Sequence, residues 1–448
     1  MKSISSFIKA IAISATLCGS LSAQTVLKPH FTEQSKKIVI PKDAKVFPEI
    51  HNGMIAVSNY PQVYFVNLKG EYVFGSNFPF TRGNDYVHKP YFSGGAMMAW
   101  RKKPNDFAPS PFIVYPDGKY RDLNDISSVS SFLDGYALVQ RGKSVIMGVK
   151  QGFIDKNGKD VFPKLTSTSK GTMGDMTIYP LVEKLRVYYN AELKKYGYAD
   201  DKGNIAIKPQ YDKAENFSEG LAAVMIEENY NKKWGFIDTK GKMVIPMTYK
   251  LKPGRFKEGL AAVRIGDNES DYEMTYIDKT GKRMMDSKKW NLNEFNNGFA
   301  WVGTGCEKVY VIDKEFKEVR DLTLTKNFDA CYFTMLSGHV HNKNWGFDFP
   351  GGMRALNQSG IANDDGGSIF APDGTLLFSA VDAKGNKVFL SDVTEGGLIL
   401  TQASFLNEPK LKEKDVFMQV FINQKGEIVY YFEKGVEGYE GGKNTQVK

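Results

Sequence analysis

Short apolar runs alternate with polar connections throughout the middle of the chain. From Leu221 the apolar runs read "LAAVMI", "WGFID" and "KMVIP", and the first two are separated by the polar segment "EENYNKK". Small, β-branched and aromatic residues in short runs bounded by turn-forming residues are typical of β-strands. The pattern therefore predicts three or four short strands in this stretch and no helix.

The connection between the second and third runs predicts a tight hairpin. Asp238 can accept a hydrogen bond from a backbone N–H two residues later, and Gly241 can adopt the positive φ that a three-residue hairpin loop requires. Pro246, which matches Pro163 and Pro209, lacks a backbone donor and should end the third strand. Asp238 and Gly241 are thus expected to form a hairpin tip.

Near-copies of this hairpin recur along the chain. The copies are "QGFIDKNGKDVF" from Gln151, "KKYGYADDKGNIAI" from Lys194, "KKWGFIDTKGKMVI" from Lys232 and "MTYIDKTGKRM" from Met274. A weaker copy, "KVYVIDKEFKEV" from Lys308, has lost its glycine. Recurrence of one supersecondary unit indicates a repeat architecture.

A second marker accompanies the hairpins, namely a polar or acidic residue, a glycine and a small apolar strand. Its glycines are Gly53, Gly94, Gly135, Gly220, Gly259 and Gly298. The spacing is about 40 residues, and the wider gap after Gly135 predicts a degenerate copy in "TMGDMTIYPLV" from Thr172. We count about nine units between residues 49 and 435.

The size of the unit predicts the fold class. A unit of about 40 residues with three or four strands cannot bury its own faces, so neighbouring units must stack. This is the size of a β-propeller blade, and closure of a ring removes exposed strand edges. We therefore predict an all-β chain of tandem antiparallel units forming a β-propeller-like array of seven or eight blades, with an open β-solenoid as the alternative.

The motif resembles a known repeat family. The runs "KWGFID" from Lys233 and "KYGYAD" from Lys195, each followed by a Lys-Gly turn, are similar to the WG (or KWG) repeat of bacterial exported proteins, over about residues 130 to 320. The resemblance implies a β-rich array that mediates binding, and it implies no shared catalytic residue. The signature residues, to which we assign structural roles, are Trp234, Gly235, Asp238, Gly241, Gly197, Asp201, Gly203, Asp278, Gly281, Gly220, Gly259 and Gly298.

Recurring carboxylates are predicted to be structural. Asp155, Asp201, Asp238, Asp278 and Asp313 each precede a glycine turn or its decayed copy. Catalytic carboxylates are few and unequal in environment, whereas these recur with the structural period. We therefore predict turn capping, and no catalytic residue is assigned.

The divergent units between residues 320 and 400 offer the remaining candidates for chemistry. His339 and His341 would share one face of a strand, a spacing that suits two metal ligands, and Asp364 and Asp365 lie nearby in sequence. No further ligand stands at a supporting spacing, so we predict no metal site and no cofactor. These four residues are the candidates of an alternative reading, a periplasmic propeller-type hydrolase or lyase.

The N-terminal segment predicts export. Lys2 and Lys9, a short apolar run and small residues up to Ala23 read as a secretory signal peptide over residues 1–23. The repeat domain would then span 24–435, with a flexible C-terminal tail over 436–448. Cys306 and Cys331 could form one disulfide in an exported protein, or remain two buried thiols.

Charge and composition narrow the function. The formal net charge is +8, but the lysines scatter over turns without a concentrated basic block, so nucleic-acid binding is not expected. No stretch of the mature chain is long and apolar enough to predict a transmembrane helix. We therefore predict an exported, non-enzymatic binding or scaffold protein of the bacterial cell envelope, periplasmic or extracellular, whose partner is an unidentified protein or glycan and whose oligomeric state is open.

Overall fold

A computed structural model defines the fold. It describes residues 25–27, 29–40, 44–51, 53–59, 62–73, 92–101, 110–117, 119–142, 148–169, 179–266, 272–286, 289–304, 308–322, 354–356, 368–370, 373–380, 390–393, 398–403, 418–423 and 425–434. The predicted signal peptide (1–23) and tail (436–448) lie outside these residues. No helix among the described residues is long and apolar enough to cross a membrane.

The described secondary structure consists of short strands and one 3-10 turn, Pro163–Leu165. The strands of the first part of the chain are β1 (Thr25–Leu27), β2 (Lys36–Ile40), β3 (Lys45–His51), β4 (Met54–Asn59), β5 (Gln62–Asn67), β6 (Met97–Arg101), β7 (Ser110–Val114), β8 (Tyr120–Asp122), β9 (Ser128–Val129), β10 (Tyr136–Arg141), β11 (Val149–Asp155), β12 (Asp160–Val161) and β13 (Ser167–Ser169). Those of the central part are β14 (Leu185–Asn190), β15 (Lys195–Asp200), β16 (Ile205–Tyr211), β17 (Lys213–Ala214), β18 (Leu221–Glu228), β19 (Asn231–Asp238), β20 (Met243–Tyr249), β21 (Leu260–Gly266) and β22 (Tyr272–Asp278). Those of the last part are β23 (Asn291–Leu292), β24 (Ala300–Thr304), β25 (Lys308–Ile312), β26 (Glu318–Asp321), β27 (Arg354–Leu356), β28 (Ser368–Phe370), β29 (Leu376–Ala380), β30 (Leu390–Val393), β31 (Ile399–Ala403), β32 (Met418–Ile422) and β33 (Ile428–Lys434).

The described strands form nine small sheets, and the chain divides into two compact units. One unit takes its described residues from 25–37 and 296–432, and the other takes them from 38–295 and 433–434. In the second unit six antiparallel sheets follow one another along the chain. They are the first (β3–β5), second (β6–β8), third (β9–β13), fourth (β14–β16), fifth (β17–β20) and sixth (β21–β22) sheets.

The fold is therefore all-β, as predicted, and this unit has a six-bladed β-propeller arrangement. The prediction of seven or eight blades is corrected. The sequence period counts every repeat of the chain together, whereas the described sheets divide between two units, and six of the nine belong to this one.

Consecutive sheets pack face to face through the alternation of side chains along each strand. In β18, Ala222 and Val224 join the core shared with the fourth sheet, whereas Ala223 and Met225 join the core shared with the sixth. Side chains on a strand point alternately to opposite faces. The small apolar run "LAAV" thus serves two interfaces at once, which explains why it carries no polar residue.

The last strand of the fourth and fifth sheets, which is the third strand of each repeat unit, pairs irregularly. In β19–β20, Trp234 pairs with Tyr249 and Phe236 with Ile245, so two residues of β19 face four of β20. The same irregularity separates Tyr196 and Tyr198 in β15. Extra residues in one strand make a bulge that bends the strand. Pro209 and Pro246 lie within these bulged strands rather than ending them as predicted.

Candidate functional site

The tip carboxylates predicted to cap turns are engaged in their own loops. Asp238 Oδ1 accepts hydrogen bonds from the backbone N–H of Lys240 and of Lys242, both at 2.9 Å. The Gly241 N–H donates to the Asp238 carbonyl at 2.9 Å, and Gly241 has a φ of +82°. Equivalent bonds to Oδ1 are made at Asp155, Asp278 and Asp313. In the weak copy Phe316 adopts the positive φ (+61°) in place of glycine.

In the fourth sheet the turn carboxylate is Asp200 and not Asp201. Asp200 Oδ1 accepts from the backbone N–H of Lys202 at 3.0 Å and of Asn204 at 2.7 Å, and the Gly203 N–H donates to the Asp200 carbonyl. The acceptor must stand three residues before the glycine, as Asp238 does before Gly241. The assignment of this role to Asp201, which is exposed, was wrong by one residue.

The glycine of the Trp-Gly pair is required by space. Gly235 has an ordinary φ, but a Cβ there would lie 2.6 Å from the carbonyl oxygen of Ile245 in the bulge of β20. At Gly197 a Cβ would lie closer still to the carbonyl oxygen of Ile207. Backbone atoms cannot move aside as a flexible side chain can. The bulged third strand therefore explains why glycine follows the aromatic residue.

The aromatic residue after that glycine joins one sheet to the next. The rings of Phe236 and Phe256 have centroids 4.9 Å apart, and those of Tyr198 and Phe217 are 4.8 Å apart. The Tyr198 hydroxyl also donates to the Glu215 carbonyl at 2.8 Å. Edge-to-face and tilted aromatic pairs at this separation are favourable. The signature aromatics thus hold the repeats together, and Trp234 is buried in the same interface as Phe236.

The second marker forms two-residue hairpin turns with positive φ at both positions. At Glu219-Gly220 the φ angles are +54° and +87°, and the Ser218 N–H donates to the Leu221 carbonyl. A Cβ on Gly220, Gly259 or Gly298 would meet nothing within 4 Å. Glycine is needed here for its backbone angles and not for space.

In the stretch from Thr172 that was predicted to carry a degenerate copy, residues 172–178 lie outside the described residues. The marker turn before the fourth sheet lies at Glu183-Lys184. Both residues have positive φ (+52° and +67°), and Val182 and Leu185 exchange backbone hydrogen bonds across the turn. The prediction followed glycine, but Lys184 occupies the glycine position. A lysine in this conformation leaves no signal in the sequence.

The acidic residues of two of these turns, Glu183 and Glu219, reach the turn of the next sheet, a role that sequence reasoning missed. A Glu219 carboxylate oxygen accepts from the Gly259 N–H at 2.8 Å, and a Glu183 oxygen accepts from the Gly220 N–H at 2.9 Å. Lys279 lies 3.2 Å from Glu219. Carboxylate-to-amide bonds are charge-assisted and stronger than neutral ones. The acidic residue before the glycine is the sequence feature from which this contact between turns could have been predicted.

The electrostatics of Glu219 follow from these contacts. Partial burial raises the pKa of Glu219, but the bonds from Gly259, Lys279 and Glu258 outweigh it, so its pKa lies below the usual value. Glu219 therefore stays ionised at neutral pH and serves as a fixed acceptor between two repeats. It is not poised to exchange protons.

The interface between the third and fourth sheets departs from this pattern. Gln140 and Gln151, which are paired in register, occupy the positions that Met225 and Trp234 hold in the fifth sheet. Both glutamines are buried, and Gln140 Nε2 has no hydrogen-bond partner. Ser167 contributes a hydroxyl 3.5 Å from Gln151 Oε1. Polar side chains thus replace a methionine–tryptophan pair.

Arg186 is a second departure at the same interface. It stands where the fifth sheet has Ala222, is 3% exposed, and leaves Nη1 without a partner. Its Nη2 lies 3.7 Å from Asp134, and its guanidinium lies 5.5 Å from the centre of the Tyr136 ring. Burial lowers the pKa of Arg186, and Asp134 only partly opposes that effect. Arg186 remains charged at neutral pH, so the interface holds a buried cation.

One hairpin tip displays an aromatic side chain to solvent. Asn229 and Tyr230 form the two-residue turn between β18 and β19, with φ of +52° and +62°. Tyr230 is 95% exposed, the highest value among the large apolar and aromatic side chains that are exposed in the described part of the chain. A bulky residue with positive φ is a conformational outlier. This exposed and strained tyrosine was not predicted.

Several sequence candidates lie outside the residues that the structure describes. They are Cys306, Cys331, His339, His341, Asp364 and Asp365. Among the described residues there is no group of three or more His, Cys, Asp or Glu side chains arranged to hold a metal ion. The disulfide and the alternative site in residues 320–400 therefore stay predictions.

The WG containing repeat family matches residues 196–230 and 234–268. Residues 196–268 are WG-containing repeats. This confirms the resemblance for the fourth and fifth sheets, whose Trp-Gly or Tyr-Gly pairs and turns have the geometry described above. The match covers the two copies in which a bulged third strand requires the glycine.

Comparison with solved structures finds distant similarity. The matches include a eukaryotic initiation factor (10% identity, 89% of this chain and 90% of that chain, TM-score 0.41) and BamB from Moraxella catarrhalis (9% identity, 89% and 99%, TM-score 0.33). Dipeptidyl peptidase 4 from Porphyromonas gingivalis also matches (10% identity, 89% and 60%, TM-score 0.34). A search of curated protein sequences found no significant match.

Proposed function

We propose that the protein is an exported, non-enzymatic binding or scaffold protein, in which WG-containing repeats present loops to a protein or glycan in the bacterial cell envelope. The proposal assigns the repeat residues to structure and the residues that depart from the repeat to recognition. Export rests on the signal-like N-terminus described above.

The observation that carries this proposal is Tyr230. The side chain is 95% exposed on a turn whose backbone angles favour Gly or Asn. Holding a non-glycine residue in the left-handed region costs about 1 kcal/mol or more. Retaining an aromatic ring at such a position stabilises nothing within the chain, because the ring is almost fully solvated.

Exposed tyrosine is well suited to recognition. Its ring offers a large contact area with few rotatable bonds, and its hydroxyl can donate or accept a hydrogen bond. Such a side chain can stack on a sugar face or anchor a protein contact. Glu227, Glu228, Lys232 and Lys233 flank the tip and are exposed, which provides a charged border.

The test compares partner binding by the full chain with that of Tyr230→Gly. The protein would be immobilised, exposed to cell-envelope extract and to a glycan array, and the recovered partner would be titrated against each variant. We expect Tyr230→Gly to weaken binding by about tenfold, the effect of losing one aromatic anchor. Stability should be unchanged or higher, because glycine relieves the strained turn.

Tyr120→Ser is the matched control. Tyr120 is a half-exposed tyrosine on the edge strand β8. The substitution Tyr120→Ser therefore removes a comparable aromatic ring from a different part of the surface. Binding that survives Tyr230→Gly and falls with Tyr120→Ser would reject the tip as the site. Turnover of an envelope substrate by the full chain would reject the non-enzymatic proposal.

A further inference from the structure

The interface between the third and fourth sheets lacks an aromatic pair that joins later sheets. In the fifth sheet Phe236 contacts Phe256, which lies in the connection to the sixth sheet. The third sheet keeps the first aromatic residue as Phe153, but Leu181 stands at the position of the second. The ring of Phe153 contacts Phe162 of the same repeat, with centroids 5.8 Å apart. This aromatic pair therefore lies within one repeat instead of joining two.

A polar pair stands at the other end of the same interface. The fourth sheet turns Tyr189 and Tyr196 towards the fifth, and both join an apolar cluster. The third sheet has Gln140 and Gln151 at the matching positions, and both are buried. An amide that is removed from water without full hydrogen bonding is unfavourable. Separation of the sheets lets water bond the Gln140 amide nitrogen, which has no partner, and this lowers the free energy of an open state.

Arg186 adds a charge to the facing strand β14. Its guanidinium is buried and its Nη1 has no partner, while Asp134, the carboxylate near its Nη2, lies 3.7 Å away and is partly exposed. A buried cation loses hydration, and only a close and well hydrogen-bonded partner compensates for that loss. Hydration of Arg186 on separation of the sheets therefore favours an open state further.

The apolar cluster between the third and fourth sheets is small. The clusters shared by the other consecutive sheets of this unit contain eight, ten, twelve and ten buried residues. This one contains five, which are Leu138, Phe153, Leu165, Tyr188 and Ala199. Burial of apolar surface is the main favourable term that holds packed sheets together. Within the described part of the chain, this interface thus has the weakest apolar packing of the unit.

The hydrogen bonds across this interface can be replaced by water. The Leu181 N–H donates to Asp134 at 2.8 Å and the Lys164 ammonium donates to Asn204 at 2.8 Å, and both bonds are exposed. In the part of the chain that the structure describes, no strand of the third sheet pairs with a strand of the fourth. Separation therefore breaks no hydrogen-bonded strand ladder.

These departures from the repeat coincide at one interface. We propose that the third–fourth interface is the seam at which the six-sheet unit opens first under native conditions. Opening exposes Gln140 and Arg186 to water, while each sheet keeps its own strand pairing. Proteins open locally where few apolar contacts must be lost, and the seam combines the fewest buried apolar residues with two polar side chains that gain hydration.

Thiol labelling of buried positions measures this opening. Ala199 faces the seam, Ala222 faces the fourth–fifth interface and Ala223 faces the fifth–sixth interface, and all three are buried. Each would be replaced by cysteine in the full chain and treated with N-ethylmaleimide without denaturant. Peptide mass spectrometry would separate the new site from the native cysteines. The labelling rate at each site would be divided by the rate in urea-unfolded protein.

We expect Ala199→Cys to react at least about tenfold faster than the two control sites, because the reagent reaches a buried thiol only when its interface opens. Ala222→Cys and Ala223→Cys are matched controls, since they make the same substitution at buried positions of the same unit. Equal rates at the three sites, or a faster rate at either control, would overturn the proposal.

Two variants should close the seam. Gln140→Met and Leu181→Phe, each made in the Ala199→Cys protein, should slow its labelling at least about threefold, because each adds apolar contact across the interface. Labelling of Ala223→Cys should change by less than about twofold in the same variants, because their sites lie at another interface. An unchanged rate at Ala199→Cys in both variants would overturn the proposal.

Phe217→Leu is the reciprocal change at the fourth–fifth interface. The rings of Phe217 and Tyr198 have centroids 4.8 Å apart, so this substitution removes an aromatic pair of the kind that the seam lacks. Labelling of Ala222→Cys should become about tenfold faster, and an unchanged rate would overturn the assignment of the seam to its missing aromatic pair. Circular dichroism melting confirms that each variant is folded, and the comparison of the three cysteine sites does not depend on these later variants.

Discussion

Two interfaces between neighbouring sheets differ in chemistry although they descend from one repeat pattern. Between the fifth and sixth sheets, Met225 and Trp234 lie paired in a buried apolar cluster with Phe236 and Phe256. Between the third and fourth sheets the equivalent pair is Gln140 and Gln151, and Arg186 replaces an alanine. The comparison shows that the strands and turns keep their geometry when the interface becomes polar.

The difference teaches which parts of the repeat are constrained. Turn carboxylates and left-handed turn residues are found at both interfaces, as at Asp155 and Asp238. The side chains that pack between neighbouring sheets are what differs. Local hydrogen bonds therefore fix the form of each sheet, and side-chain packing decides how firmly neighbouring sheets adhere.

The largest effect is expected from Gly235→Ala. The new Cβ would meet the Ile245 carbonyl oxygen at 2.6 Å, so the fifth sheet must lose its bulged third strand or shift it. We expect a loss of about 3 kcal/mol in the free energy of unfolding, measured by urea denaturation.

Gly220→Ala is its matched control. The site is open but has a φ of +87°, so only backbone strain of about 1 kcal/mol is expected. Equal losses at the two glycines would show that the bulge does not require glycine at position 235.

The next largest effect on the free energy of unfolding is expected from exchanging the residues that differ between the two interfaces. Met225→Gln would bury an unsatisfied amide in an apolar cluster and should cost about 2 kcal/mol. The reciprocal change Gln140→Met removes an amide nitrogen that has no partner, and should be neutral or stabilising by about 1 kcal/mol. Urea denaturation of both variants is the measurement, and a destabilising Gln140→Met would mean that the polar interface is satisfied.

The buried Arg186 provides a third test. Asp134→Asn keeps an acceptor for the Leu181 N–H but removes the charge near Arg186. Because Asp134 is partly exposed, we expect a loss of about 1–2 kcal/mol, less than for a fully buried pair. Adding Arg186→Met should restore most of that loss in thermal or urea unfolding, and failure to restore it would show that Arg186 contributes through packing.

The smallest effect concerns the pH dependence at Glu219. Its pKa is lower in the folded than in the unfolded protein, so its contribution to stability is full above the unfolded pKa of about 4.3. That contribution is lost as the pH falls through the folded pKa. The free energies of unfolding of the wild type and of Glu219→Gln should therefore differ at neutral pH and become equal in acid. A difference that stays constant across the pH range would contradict the role of the Glu219 charge.

The sequence was sufficient to predict the periodic features, because they depend on local chemistry. Hairpin tips such as Asp238–Gly241 need one acceptor and one left-handed residue at a fixed spacing, and this combination is visible in sequence. The spacing also predicted stacked β units, as observed. Counting blades failed because sequence period does not report how sheets divide between compact units.

Features that depend on tertiary context could not be predicted. Lys184 takes a glycine position without any sequence signal, and the reach of Glu219 to the next turn is a contact between repeats. The role given to Asp201 was misplaced because two aspartates adjoin. Tyr230 could not be singled out from the sequence, because its exposure and its backbone angles, and not its residue type, make it unusual.

The central claim is that the signature aromatics hold neighbouring repeats together. A double-mutant cycle with Phe236→Leu and Phe256→Leu tests it most directly, because Phe236 lies in the fifth sheet, Phe256 lies in the connection that leads to the sixth, and the two rings are 4.9 Å apart. We predict a coupling of about 1 kcal/mol in the free energy of unfolding. Additive losses, with no coupling, would contradict the claim.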